Sequence, residues 1–182
     1  MSMSKCSAMT LALVFLSLAM SCAHPNRIEE ERKINNFINE SCNHTTDHNF
    51  CVKTLGSDPD GTSVRDLAGL TAIALKITVA NATDTYAYIS ELLNRSGSDK
   101  KESFEDCLYV YRLTVDYLQL SVPALQQKNY IDLKVYISGS LINPADCEEG
   151  FSKDGSPLTQ RNNNMTKLML MTLDLVNYLS TS

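Results

Sequence analysis

The sequence predicts an all-α protein: an up-and-down antiparallel four-helix bundle with an N-terminal helical hairpin and two disulfides. Three observations carry this. Apolar residues recur at steps of three and four along most of the chain, where strands would alternate them. The breaks between these runs are mostly short, which sets neighbouring helices antiparallel. After residue 23 four cysteines remain, a close pair, Cys42 and Cys51, and a distant pair, Cys107 and Cys147.

Residues 1–23 read as a signal peptide. Lys5 gives a positive start, Met9 to Met20 form an apolar run too short to cross a bilayer comfortably, and Ser21 and Ala23 supply the small residues of a cleavage site. Cleavage after Ala23 leaves a single domain, residues 24–182, and removes Cys6 and Cys22. An even cysteine count then suits a secreted, oxidising environment.

Fifteen basic residues face twenty-one acidic ones in that domain, a formal charge of −6. With no Lys/Arg cluster, nucleic-acid binding is excluded, because phosphate contacts need basic side chains. A basic protein partner is the expectation. The domain should be a monomer without cofactor or metal, and without a membrane anchor.

The hairpin comes first. Ile34, Phe37 and Ile38 share one side of a short helix ending at Cys42, and a second helix runs from Asp47 to Leu55, closed by Gly56. Ser57-Asp58-Pro59-Asp60-Gly61 is turn chemistry, and Ser63 with Asp66 resembles a capping box opening a helix from Val64 to about Leu93. Its buried side should hold Leu67, Leu70, Ala74, Ile77, Tyr88 and Leu92. Next, Phe104, Leu108, Tyr111, Val115, Leu118, Val122 and Leu125 alternate steps of four and three, the mark of a helix packed on other helices. Pro123 should kink this helix rather than end it, since Leu125 keeps the register. A short helix from Tyr130 through Leu133, Ile137 and Leu141 should stop at Asn143-Pro144. After a polar loop, Ser156-Pro157 should start a last helix to about Leu179, with Leu158, Met165, Leu168, Met169, Leu175 and Val176 inward. The Asn162-Asn163-Asn164 run is the weak point of its first turns.

Four cysteines allow three connectivities. Cys42 and Cys51 lie at the turn of the hairpin, which makes their union easy and leaves Cys107 to Cys147. In the chain-entropy picture these closures are worth about 2.7 and 3.9 kcal/mol. Cys42, His44, His48 and Cys51 are also zinc-ligand types, but C-x-H-x3-H-x2-C is not a standard finger spacing and secretion favours oxidised cysteines.

The Cys-x8-Cys hairpin ending in Phe50-Cys51-Val52-Lys53-Thr54-Leu55 belongs to a larger set. It is joined by Asp66-Leu67-Ala68-Gly69-Leu70, Asn81-Ala82-Thr83, a third cysteine before Tyr109, and Cys147-Glu148-Glu149-Gly150-Phe151. Together they resemble the plant invertase and pectin methylesterase inhibitor family over essentially all of residues 24–182, most of all its pollen-allergen branch. The resemblance implies a four-helix bundle with the same disulfide pairing. It also implies a protein that blocks an enzyme by laying the bundle over its substrate cleft, one to one and without covalent chemistry, in the cell wall. The residues agree that the chain is not an enzyme. No nucleophile motif or glycine-rich phosphate loop occurs, and runs such as Glu29-Glu30-Glu31 or Glu148-Glu149 read as solvated faces.

The target is less marked. Inhibitors of cell-wall invertase in this family carry Pro-Lys-Phe at the turn after the second bundle helix. That region here reads Gln126-Gln127-Lys128-Asn129-Tyr130-Ile131-Asp132. Pectin methylesterase inhibitors often carry Thr before the fourth cysteine, where Asp146 stands. Losing a motif that enters an active site weighs more than changing one flank of a disulfide, so pectin methylesterase is the expected target and acid invertase the alternative. Lys128, Asn129, Tyr130 and Asp132 are the candidate target contacts. A non-inhibitory helical protein and a small-ligand binder are the readings from other classes.

Five Asn-x-Ser/Thr sequons occur, at Asn39, Asn43, Asn81, Asn94 and Asn164. Asn94, at a helix end, should be the best sugar acceptor with Asn43 next, whereas Asn81 continues a buried stripe and should stay bare. Mass mapping of a non-reduced digest should show Cys42 bonded to Cys51 and Cys107 to Cys147. Glycopeptide mapping that found sugar on Asn81 and none on Asn94 would refute the acceptor ranking.

Overall fold

The computed structural model describes residues 24–151 and 155–182. The expected signal peptide at residues 1–23 lies outside the described residues. Among these, every regular element is helical, and no helix is long and apolar enough to cross a membrane.

Helices α1 (His24–Cys42) and α2 (His48–Gly56) form the hairpin. Asp47 caps α2 by accepting the Phe50 amide at 3.0 Å, and a disulfide joins Cys42 to Cys51 with both residues fully buried. Ile34, Ile38 and Leu55 fill the hairpin interior. A 3₁₀ turn, Pro59–Ser63, follows. Gly61 lies so close to the Leu55 carbonyl that a Cβ would overlap it, so only glycine fits there.

Helix α3 (Leu67–Arg95) starts later than the sequence suggests. Ser63 is still part of the 3₁₀ turn and Val64 is extended, so the cap is Asp66, whose carboxylate accepts the Gly69 amide at 2.7 Å. Its buried side also differs. Leu70 and Ala74 are fully buried as expected, but Leu67, Ile77, Tyr88 and Leu92 are only half-buried, while Thr71, Thr78, Thr85 and Ile89 point in.

Helix α4 (Ser98–Gln126) continues past Pro123. Its inward seam is Phe104, Cys107, Tyr111, Thr114, Leu118 and Ser121, all buried. Leu108 and Val115 are partly covered, and Val122, expected inside, is 37% exposed. A reading weighted by hydrophobicity passes over Thr and Ser, yet here they bury cheaply. Thr114 and Ser121 donate their hydroxyls to the carbonyls four residues back, at 3.0 Å each.

Helix α5 (Tyr130–Gly139) ends near its expected limit, but Asn143-Pro144 does not lead into a loop. It opens a further helix, α6 (Asn143–Glu149), because proline is tolerated in a first turn where its missing amide has no partner to lose. The Asn143 amide donates to Thr114 Oγ1 at 2.9 Å. Helix α6 thereby brings Cys147 to Cys107, with a Cα separation of 4.5 Å across the second disulfide.

Helix α7 (Thr159–Leu179) completes the bundle. Ser156 Oγ accepts the Leu158 amide at 3.0 Å ahead of the first helical residue, and all six side chains expected inward are buried. Asn162 proves to be a junction rather than a weakness. The buried Tyr111 hydroxyl donates to Asn162 Oδ1 at 2.8 Å, and Asn162 Nδ2 donates to Glu148 Oε2 at 2.6 Å. The other Glu148 oxygen accepts the Thr159 hydroxyl. Burial raises the Tyr111 pKa, so the hydroxyl stays protonated as the donor this network needs.

In the bundle α3 packs on α4 and α7, while α4 packs on α5 and α6, which both reach α7. One of the four positions is thus divided between two short helices. The hairpin reaches α7 through side chains. Thr46 donates its amide to Asp174 at 2.8 Å, Lys167 donates to Asp47 at 2.9 Å, and His44 stacks on Tyr178 with ring centroids 3.6 Å apart.

Two outcomes follow from this packing. Tyr111→Phe should lower stability by about 1–3 kcal/mol by leaving Asn162 without its donor, against about 2–5 kcal/mol for the cavity made by Leu118→Ala, both read by denaturant melts. Asp47 is held below the ordinary carboxylate range, first by the Lys167 hydrogen bond and then by the Phe50 amide. A depressed folded-state pKa contributes stability that is present above about pH 4 and lost as pH falls through the depressed value. Below about pH 4, wild type should therefore lose stability more steeply than Asp47→Asn.

Candidate target-binding surface

The turn between α4 and α5 is built by backbone geometry. The Asn129 amide bonds the Ala124 carbonyl at 2.9 Å and the Lys128 amide bonds that of Leu125 at 3.0 Å, the paired closure of a Schellman motif. In that motif the residue after the helix cap adopts a left-handed conformation, normally that of glycine. Here it is Lys128, at φ 57°, the single non-glycine residue with positive φ among the described residues.

The four candidate contacts divide by role. Asn129 caps α5, accepting the Asp132 amide at 3.2 Å and donating to the Asp132 carboxylate at 2.7 Å. These two side chains are occupied with each other. Tyr130 is half-buried against the core, whereas Lys128 is exposed.

Beside this turn lie exposed apolar residues the sequence reading passed over. Ile131, Val135 and Ile142 are 76%, 58% and 60% exposed. Ile131 and Val135, one turn apart, lie on the side of α5 opposite Leu133 and Ile137, whereas Ile142 lies past the end of α5, directly before α6. On α4, Leu120 is 48% and Tyr117 41% exposed, and Tyr117 stacks on Tyr136 of α5 at 6.3 Å. The signal was present in the sequence: α5 carries two apolar stripes, and one helix side cannot bury both. Scattered exposed apolar residues are ordinary, but an exposed aliphatic pair one turn apart next to a cationic turn makes this side of α5 the candidate surface.

The remaining candidates fall elsewhere. His44 stacks on Tyr178 and Cys42 is bonded to Cys51, so the set weighed for zinc is not assembled. Among the described residues no group of three or more His, Cys, Asp or Glu is placed to hold a metal. Asn43 in the hairpin turn and Asn94 at the end of α3 are both exposed. Asn81 is half-buried, with its Oδ1 enclosed.

Residues 36–175 match the sequence profile described as "Plant invertase/pectin methylesterase inhibitor". The chain belongs to this family. The plant invertase/pectin methylesterase inhibitor family consists of inhibitors, not enzymes. A Platanus orientalis protein named for invertase inhibition is 27% identical over 136 residues, covering 72% of this chain and 79% of its own. Pectinesterase inhibitor 5 of Arabidopsis thaliana is 29% identical over 149 residues, covering 79% and 83%. The crystal structure of a mutant pectin methylesterase inhibitor from Arabidopsis superposes with a TM-score of 0.66 at 18% identity, covering 75% of this chain and 92% of that one, and so shares the fold. The chain is thus a proteinaceous inhibitor of pectin methylesterase or invertase.

Lys128 makes strain and contact separable. Lys128→Gly relaxes the left-handed position, and part of that gain is offset by the freer unfolded chain, so stability should rise by about 0.5–1 kcal/mol. Lys128→Ala, which keeps a Cβ, should not show this rise in thermal or denaturant melts.

Proposed function

We propose that this protein is a secreted inhibitor that closes the substrate cleft of pectin methylesterase in a non-covalent one-to-one complex. Contact is made through the α4–α5 turn and the outward side of α5. The carrying observation is the exposed aliphatic pair Ile131 and Val135, one turn apart on α5, following the left-handed Lys128. Apolar anchors next to one flexible cation are the composition of a contact centre, and Asn129 with Asp132 serve to hold the turn in shape.

Pectin methylesterase is favoured over invertase because of where the two departures from family pattern fall. Asp146, standing in place of Thr before the fourth cysteine, is exposed in the first turn of α6 and alters only a solvated flank. The absent Pro-Lys-Phe would have occupied the contact turn itself. A formal charge of −6 on residues 24–182 suits a basic enzyme, and that attraction speeds encounter until salt screens it over about 10 Å at 0.1 M. A glycan on Asn94 would sit at the end of α3 far from the turn, because α4 runs the length of the bundle between them.

Titration against one pectin methylesterase and one acid invertase at about pH 5 tests this reading. Loss of pectin methylesterase activity alone is expected. Loss of invertase activity alone would move the target to invertase, and loss of neither would make the chain a non-inhibitory member. Ile131→Asp with Val135→Asp should weaken inhibition at least about tenfold, since two desolvated anchors are lost. Circular dichroism should stay unchanged, because both positions are exposed. Full inhibition by the folded double variant would place the contact surface elsewhere.

A further inference from the structure

Between α3 and the first turns of α7 lies a polar cleft of about 310 Å³ lined by Asn81, Gln160, Arg161 and Asn164. Its size is near the lower end for small-ligand pockets. Two features say what it accepts. Asn81 Oδ1 is buried and has no hydrogen-bond partner among the described residues. A buried acceptor left unpaired is costly, so a donor held in the cleft would favour a turn of the Asn81 side chain that brings this oxygen outward. Arg161, by contrast, is already balanced: it pairs with Asp84 at 2.6 Å and lies 4.2 Å from the centre of the Tyr88 ring. The cleft therefore suits a neutral group bearing O–H and N–H donors, with the amides of Gln160 and Asn164 able to bond it in either sense.

Such a group has an attachment point in the cleft wall. Asn164-Met165-Thr166 is an N-glycosylation sequon, and Asn164 is partly exposed. We propose that Asn164 carries an N-glycan whose first N-acetylglucosamine lies in this cleft and draws the Asn81 side chain round, so that Oδ1, enclosed in the bare domain, accepts a sugar hydroxyl or the acetamide N–H. In the attachment step Asn164 Nδ2 bonds C1 of a lipid-linked oligosaccharide and gives up one proton. The bond from C1 to the donor's diphosphate breaks, and its electron pair leaves with the diphosphate. Tethering holds the sugar at high local concentration, so contacts too weak to capture a free saccharide suffice. Asn81, in the second sequon of the same cleft, serves as the acceptor of that contact and stays bare. The inference rests on passage through the secretory pathway, as the proposed function does, but on no target enzyme.

The test uses the full domain with Asn39→Gln, Asn43→Gln and Asn94→Gln, so that only Asn81 and Asn164 can be modified. A yeast host's own leader drives secretion, which separates this test from the chain's own targeting, and no inhibition is read. Glycopeptide mapping should find sugar on Asn164 and none on Asn81. Three forms are then compared: the yeast protein, the same protein trimmed by endoglycosidase H to one N-acetylglucosamine, and bare protein from a bacterial periplasm. The trimmed form should melt with the untrimmed one, both about 2–4 °C above the bare form, the shift for one satisfied acceptor in a domain of this size. Nuclear Overhauser contacts should link the remaining sugar to the Gln160 and Arg161 side chains. A bare Asn164, sugar on Asn81, or a trimmed form that melts with the bare one overturns the proposal.

Discussion

The side chain of Asn162 holds three helices in one register. Its oxygen accepts the hydrogen bond of the Tyr111 hydroxyl from α4, and its nitrogen donates to Glu148 of α6 from a position on α7. The Cys107–Cys147 bond ties α4 to α6 beside it, and the Asn162 amide nitrogen lies 3.6 Å from the Cys147 sulfur. An amide at 3% exposure must be matched atom by atom, so sliding any one of these helices by a residue would strand polar groups in the core. Apolar packing of Leu118, Met165 and Leu175 tolerates more variation. The polar node therefore selects the register, and the apolar seam supplies the bulk of the burial. The turn at Lys128 and the outward pair on α5 lie where they do because α4 and α5 are fixed against that frame.

Much of the fold could be read from the chain, and the departures share one physical cause. Positions where burial and apolarity coincide read correctly: the inward set of α7 from Leu158 to Val176, and Phe104, Tyr111 and Leu118 on α4. Thr71, Thr78, Thr114 and Ser121 were passed over because hydropathy counts them as polar. In a helix each can spend its hydroxyl on the carbonyl one turn back, and then packs as a small residue. Asn143-Pro144 misled for a similar reason. A proline that ends one helix is equally suited to the first turn of the next, and only the partner of the Asn143 amide, Thr114, decides between them.

The candidate surface was legible by location more than by residue. The missing Pro-Lys-Phe drew attention to this turn, but sequence offers no way to see that Asn129 and Asp132 bond each other. Nor does it reveal that Lys128 occupies a glycine-like conformation, which depends on how α4 ends. Ile131 and Val135 could have been found by asking which of two apolar stripes on a short helix has a neighbour to cover it. Asn81 differs again: the stripe expected to bury it is only half-buried, and its enclosed, unpartnered oxygen emerges only once α7 is laid across α3.

The attachment of the hairpin to the last helix has a bearing on how the chain assembles during synthesis. Thr46 and Asp174, Asp47 and Lys167, and His44 and Tyr178 join residues more than a hundred positions apart. Contacts this distant in sequence carry a large loop-closure cost and form late. As the chain leaves the ribosome the hairpin emerges well before its docking site on α7. During that interval Cys42 and Cys51 are the only close pair of thiols available to each other, and closing their short loop keeps the hairpin in shape while it waits. The local disulfide thus bears on the timetable of folding as well as on the finished structure, bridging the delay between the synthesis of the hairpin and that of the helix it rests upon.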